Sequence, residues 1–409
     1  MTTQAIDYQS PAANGTRITQ SWALVVDSYR ELNSKKLFWI TLILSLLVVI
    51  AFAFVTINDR GISIFGADFE NYAWSTNVIP AATFYKVIFT SIAIPWWLGV
   101  IATVLALISV CSVFPDFITG GSIDLYLSKP LSRLRLFATK YLVSLMFVAL
   151  QVFVFAAASF LLIGLKSGAW ELGIFLAVPL VTLFFSYLYC VCVLTGIITR
   201  SALASLLVTM LFWLFLFALN TTDAVLMTFK SAADVRLEEH RGLIERNQKI
   251  IDTNQKLSPG NPTANAGWQL QLDGARETLP RFEKDAAQLQ WWYSLFRYIK
   301  TPLPKTGETV DLMTRWLVEP EPLMRMHEES QKQQDQRREA RRNRNTADGA
   351  PPPTQRNRSD RLDPEDPDVM RRVQQESEGR TAVKLIGTSL GFELAVLGLA
   401  AFIFCRRDF

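Results

Sequence analysis

Residues 37–57 read LFWITLILSLLVVIAFAFVTI, an apolar run without a single charged side chain. As a helix, a run of about 20 residues crosses a hydrocarbon layer ~30 Å thick. Working outward, five further runs are similarly long and apolar, the fourth run overall opening on Glu171 and the last containing Lys384 and Glu393: 92–113, 141–165, 171–198, 202–220 and 383–404. The chain has 409 residues, half of them hydrophobic and 19% charged. Its charges gather in one late block rather than mixing evenly, which excludes an ordinary globular enzyme. The expected fold is all-α: a polytopic membrane protein with six transmembrane helices. Segment 37–220 carries helices one to five, and 383–409 carries the sixth and the C-terminus.

An even number of spans places both termini on one side. Arg30, Lys35 and Lys36 precede the first span, and Lys129, Arg133, Arg135 and Lys140 lie between the second and third. Arg200 sits in the fourth–fifth turn, and Arg406 and Arg407 follow the sixth span. Lysine and arginine mark cytoplasmic loops, so this face is read as cytoplasmic and the location as the inner (plasma) membrane. Asp59, Arg60, Asp68, Glu70, Lys86, Lys166 and Glu171 fall in the opposite loops with mixed sign. Residues 221–382 are then extracytoplasmic, because long loops translocate largely regardless of charge. The net charge of +4, from 41 basic and 37 acidic residues, is too balanced for nucleic-acid binding. No cleavable signal is expected, since the first 36 residues are polar or amphipathic and the first apolar run exceeds an h-region.

Segment 1–36 holds Ile18, Trp22, Val25, Val26 and Tyr29 at helical spacing. This is an amphipathic helix that lies in the cytoplasmic interface or packs on a partner protein. The insertion 221–382 divides into three. Within 230–300, Leu237, Ile244 and Ile251 are spaced by seven. Pro259, Gly260, Asn261 and Pro262 then mark a turn. Trp268, Leu272, Ala275, Leu279, Phe282, Ala286, Leu289, Tyr293 and Phe296 follow with a four–three alternation. The pattern predicts an antiparallel helical hairpin with coiled-coil packing, kinked or restarted at Pro280. Trp291, Trp292, Tyr298 and Trp316 suit a membrane–water boundary, so 301–324 is expected to return to the outer interface. Segment 325–380 lacks Phe, Trp and Tyr, carries nearly balanced charge, and reads as disordered or loosely helical.

Chemistry-bearing motifs are missing from the sequence. There is no phosphate-binding loop, HExxH or CxxC, so the chain is not expected to be an enzyme or to hold a cofactor of its own. Cys111, Cys190, Cys192 and Cys405 all lie in or beside apolar runs, leaving the insertion without a disulfide framework. Met324, Met326 and His327 read as an apolar pair beside a solvated histidine, not as a copper site. Gly387, Gly391 and Ala395 follow small-xxx-small spacing, which serves helix association between chains or packing within one. Glu393 lies inside the last span, where an ionised carboxylate is costly. With Gln151 as partner, it is either a translocation-path residue or an interhelical hydrogen-bond acceptor.

The cytoplasmic loop 114–140 reads FPDFITGGSIDLYLSKPLSRLRLFATK. Phe114, Phe117, Ile118, Gly121 and Leu125 share one helical face, and Lys129-Pro130 ends the helix. Such a helix, tied to two spans, either engages a soluble partner and passes its displacement into the membrane or only joins the spans. Asp116, Gly121-Ser122-Ile123, Leu125 to Leu127, Lys129-Pro130-Leu131-Ser132-Arg133 and Lys140 resemble the ABC-2 family of ABC transporter permeases. The basic ending Cys405-Arg406-Arg407 also looks like that family's C-terminus, and the nearest likeness is to its multicopper-enzyme-maturation-type members. The resemblance implies a coupling helix on a separate ATPase subunit that holds ATP and Mg. It assigns Asp116, Phe117, Ile118, Gly121, Leu125, Lys129, Pro130 and Arg133 to that contact. It also implies a second permease chain, identical or not, and export or efflux. The alternative is a non-transporting, ATPase-coupled scaffold acting on an envelope protein through the insertion, which is much larger than in compact family members.

Overall fold

The computed structural model describes residues 26, 29–30, 33, 36–70, 75–119, 132–257, 263–318, 367–379 and 381–406. Among them, six helices are long and apolar enough to cross a membrane: Lys36–Ala53, Ala81–Ile118, Arg133–Ser167, Leu172–Thr199, Ala202–Lys256 and Ala382–Arg406. The chain is a mostly helical, multi-pass membrane protein. Val26, Tyr29, Arg30 and Asn33 are helical, while the rest of the expected interfacial helix lies outside the described residues.

The helix α1 (Lys36–Ala53) is followed by β1 (Val55–Asn58), β2 (Gly61–Ile64) and β3 (Ala67–Glu70). These form an antiparallel meander in the order β1-β2-β3. The sheet corrects the all-α expectation. Val55–Ile57 looks like the end of the first span because its apolar residues extend the run before them, which hides the change to a two-residue period. The second span runs α2 (Ala81–Ile88), a π-helical segment (Phe89–Ala102) and α3 (Thr103–Val110), with α4 (Val113–Thr119) after a turn. Pro95 lies inside the π segment and supplies no backbone donor there.

Next come α5 (Arg133–Ser167), a 3₁₀ turn (Leu172–Leu176) and α6 (Ala177–Thr199). Ser132 caps α5 by accepting from the Arg135 amide at 3.3 Å. Gly168, at φ 72°, ends it in the left-handed conformation favoured at helix termini. Gly164 is required by contact, because a Cβ there would lie 2.5 Å from the Trp170 ring. Then follow α7 (Ala202–Leu257), α8 (Thr263–Lys300), α9 (Thr306–Leu317), α10 (Pro367–Glu378) and α11 (Ala382–Arg406).

Two compact units result. The first comprises Met1–Leu214, Thr306–Asp335 and Leu390–Phe409. Its core packs α5 against α6 and α1 against α5 and α3, with Phe38 on Phe147 at 4.2 Å and Trp97 Nε1 donating to Ser45 Oγ at 3.1 Å. The amphipathic α9 docks on α6 and the π segment, burying Thr309, Leu312, Met313 and Leu317. Within the stretch 301–324, expected to return to the outer interface, Thr306–Leu317 thus packs on the helices, with Trp316 exposed; residues 319–324 lie outside the described residues. Lys86 pairs with Glu171 at 2.7 Å, joining two of the loops that the charge pattern assigns to one face.

The second unit comprises Phe215–Lys305 and Gln336–Ser389. Contacts between α7 and α8 run in antiparallel order: Asp223 with Lys300, Lys230 over Tyr293, His240 on Phe282, Arg241 with Glu283, Gln248 with Arg276, and Asn254 with Asn265. Leu272, Phe282, Ala286 and Tyr293 of the heptad stripe are buried, whereas Trp268 is exposed. The helix α8 continues through Pro280 without restarting. Within segment 325–380, Pro367–Glu378 is helical and buries Val369, with Glu376 on Lys230 and Arg372 on Glu238 at 2.7 Å; residues 325–366 lie outside the described residues. The turn around 259–262, together with Met324, Met326 and His327, falls outside the described residues.

Candidate functional site: an intramembrane polar pair and a gathered helix end

Glu393 is buried on α11 inside the first unit. Tyr141 Oη on α5 donates to its Oε1 at 2.7 Å. Ser186 Oγ on α6 lies 2.9 Å from Oε2 and 2.8 Å from the Leu183 carbonyl. One serine proton thus serves two acceptors, and three helices meet at one carboxyl group. Tyr141 also stacks on Tyr189 at 5.3 Å and 11°, and Tyr189 on Phe185 at 5.7 Å. A polar group in hydrocarbon is retained only where neighbours satisfy it, and this one has two hydroxyl partners.

Gln151 is not among them. It is buried in a separate cavity with Thr41 and Ser45 of α1 and Thr103 of α3. Thr41 Oγ1 donates to the Leu37 carbonyl at 2.8 Å, and Thr103 Oγ1 to the Leu98 carbonyl at 2.7 Å. The Gln151 side-chain nitrogen has no hydrogen-bond partner among the described residues. Phe185 links the two places, lining the cavity and stacking on Tyr189. Pairing Glu393 with Gln151 fails on depth. From their common end at Arg133 and Cys405, a rise of 1.5 Å per residue sets Glu393 about 18 Å along its helix and Gln151 about 27 Å along its own. Tyr141, at about 12 Å, reaches up to the carboxylate with its long side chain. Its place at the start of the third apolar run was the available signal; Ser186 gave none beyond being a hydroxyl within an apolar run.

The second cluster gathers at one end of the same unit. Phe117 on α4 lies 6.4 Å from Phe404 and carries the Lys140 ammonium 5.4 Å over its ring. Phe137 stands 5.8 Å from Phe404 and 5.3 Å from Phe114. Arg133 Nη1 donates to the Cys405 carbonyl at 3.3 Å, satisfying a helix-terminal acceptor with a cation. A Cβ on Gly196 would sit 3.3 Å from Pro115. Ends of four spans are thus joined where α4 ends and α5 begins.

Of the residues assigned to an ATPase contact, Asp116 is exposed, Phe117 and Ile118 are buried in the chain's own core, and Arg133 is half-buried. Gly121, Leu125, Lys129 and Pro130 lie outside the described residues. Gly387, Gly391 and Ala395 are exposed, and no described side chain lies within 4 Å of where a Cβ would stand on either glycine. The four cysteines are free thiols, and no group of metal-ligating side chains occurs among the described residues. No protein-family model matches the chain, and comparisons with curated proteins and with solved structures likewise return no match.

Proposed function

We propose that the chain is the membrane-spanning permease subunit of an ABC-2-type transporter. In this reading, ATP hydrolysis by a separate subunit drives export or efflux. The supporting observation is the gathered end of the first unit. Segment 120–131, which carries the family-like motif, leaves α4 and enters α5 where Phe117, Phe137 and Phe404 pack together. Force applied to that segment reaches the second and third spans directly, and the sixth through Phe404 and the Arg133–Cys405 bond. Phe117 and Ile118 act as the root of the lever and not as its outer surface, because both are buried. Asp116 and Leu125 are left to meet the partner. ATP and Mg belong to that partner.

In this reading both termini are cytoplasmic, which the even number of spans and the basic end support. Residues 221–382 are in the same reading extracytoplasmic, and within them α7 and α8 make a helical hairpin braced by α10. A second permease chain faces the open stripe of Gly387, Gly391 and Ala395. Co-expression with the separate ATPase subunit tests the reading. Asp116→Arg with Leu125→Asp should lower co-purification of that subunit at least tenfold while the permease stays folded. Undiminished co-purification and an unchanged coupled ATPase rate would overturn it.

A second reading, a non-transporting ATPase-coupled scaffold, is favoured by the size and internal bracing of the second unit. ATP turnover without solute flux in vesicles, together with crosslinks from α8 to an envelope protein, selects that reading.

A further inference from the structure

We propose that the β1-β2-β3 meander is a lipid-contacting element, seated at headgroup level with its apolar face turned into the bilayer. The register sets its two faces. Val55 opposes Ile64, Ile57 opposes Ile62, Ile62 opposes Phe69, and Ile64 opposes Ala67, all on one side. Thr56, Asn58, Ser63, Asp68 and Glu70 fall on the other. On the apolar side Ile64 and Phe69 are exposed, and β3 is exposed along its whole length. At the tip, Phe65 is 70% exposed.

Phe65 occupies the first central position of a two-residue hairpin turn at φ 52°, followed by Gly66 at φ 84°. Positive φ at both positions is the geometry such turns favour, but Asn, Asp or Gly normally fills the first. A bulky aromatic there is costly, so its position calls for a compensating contact.

Continuity with the first span identifies that contact as lipid. Outward-facing Trp39, Ile43, Leu46, Leu47 and Ile50 run up α1 to exposed Phe54. Phe65 stacks on Phe54 at 4.9 Å and 16°, and its amide donates to the Phe54 carbonyl at 3.2 Å. The apolar stripe therefore passes from helix to sheet without a polar break. Length makes the same demand. The 18 residues of α1 rise about 27 Å, short of the ~30 Å hydrocarbon layer, and any tilt shortens the reach further. The deficit falls at Phe54 and Val55, where the sheet begins. Unpaired β3 backbone groups cannot enter hydrocarbon. The strand must stay among headgroups while Ile64, Phe65 and Phe69 dip inward. On the α2 side, Tyr85 Oη donates to the Val55 carbonyl at 3.3 Å and holds the meander to the second span.

The inference is independent of the permease reading. Its test uses the full chain in phospholipid nanodiscs, with the four native cysteines replaced. Phe65→Cys, Phe69→Cys and Asp68→Cys each carry a nitroxide, and collisions with oxygen and with a water-soluble nickel chelate are measured. The expected oxygen-to-nickel ratio is severalfold higher at 65 and 69 than at 68. Nickel-dominated collisions at 65 and 69 would overturn the proposal. So would exclusion of both reagents, which marks a protein cover such as a second copy. If the cysteine-free chain fails to fold, a photoreactive benzophenone residue at 65 in the native background replaces the label. Crosslinking to lipid supports the seating, and crosslinking only to protein, or none, refutes it.

Discussion

Glu393 gathers hydroxyl donors from two other helices, so its removal should be felt as their loss. Glu393→Ala removes the Tyr141 hydroxyl's 2.7 Å acceptor and leaves it only the Ser186 carbonyl at 3.4 Å, while Ser186 keeps the Leu183 carbonyl; the cost should be about 1–3 kcal/mol. Glu393→Gln keeps an oxygen for Tyr141 and should recover most of that loss. Thermal unfolding of the purified protein in nanodiscs checks the order: wild type highest, Gln close below, Ala clearly lowest. The carboxylate itself was legible from the sequence, because a charged residue within an apolar run cannot face lipid cheaply. Its partners were not, since hydroxyl side chains in helices commonly satisfy themselves on their own backbone, as Thr41, Thr103 and Ser144 do. Which hydroxyl is instead aimed across a helix interface depends on rotation and depth, and one sequence does not specify either.

Among the elements, periodicity marks the face of α8 well: Leu272, Phe282, Ala286 and Tyr293 are all buried. The helix α10 is the opposite case. Val369 is its buried apolar residue, and it is held through Arg372 on Glu238 and Glu376 on Lys230, partners far away in sequence. Charge pairs of that separation leave no periodic trace. The buried pair of Asp223 and Lys300, at 2.7 Å with each side chain under a tenth exposed, joins α7 and α8. Lys300→Met alone strands a buried carboxylate and should cost about 3–5 kcal/mol. Asp223→Leu combined with Lys300→Met should cost much less than the two single changes together, because no unpaired charge remains. A double-mutant cycle on unfolding temperature measures the difference.

At the scale of the molecule, the spans could be read directly from apolar runs, and six helices of that length and composition occur among the described residues. The meander could not be read, because β1 borrows its apolar residues from the end of the first run. Side assignment rests on charge bias alone and has a direct check. Thr346→Cys should react with a membrane-impermeant maleimide added to intact cells, whereas Cys405 should react only after lysis. Reaction of position 346 only in lysed cells would invert the topology and place the long insertion in the cytoplasm.

The widened winding from Phe89 to Ala102 gives the second span a property that its neighbours lack. A π turn holds one residue more than an α turn needs and commonly marks a functional position. At the end of this segment the Thr103 hydroxyl donates to the Leu98 carbonyl, while the Thr103 amide donates to Val100. Such a coil can tighten toward α geometry by passing its surplus along the axis, turning the side chains that face Ser45 while both ends of the span stay anchored. Each step of that tightening exchanges an i→i−5 backbone bond for an i→i−4 one, so the count of backbone bonds is kept while the winding changes.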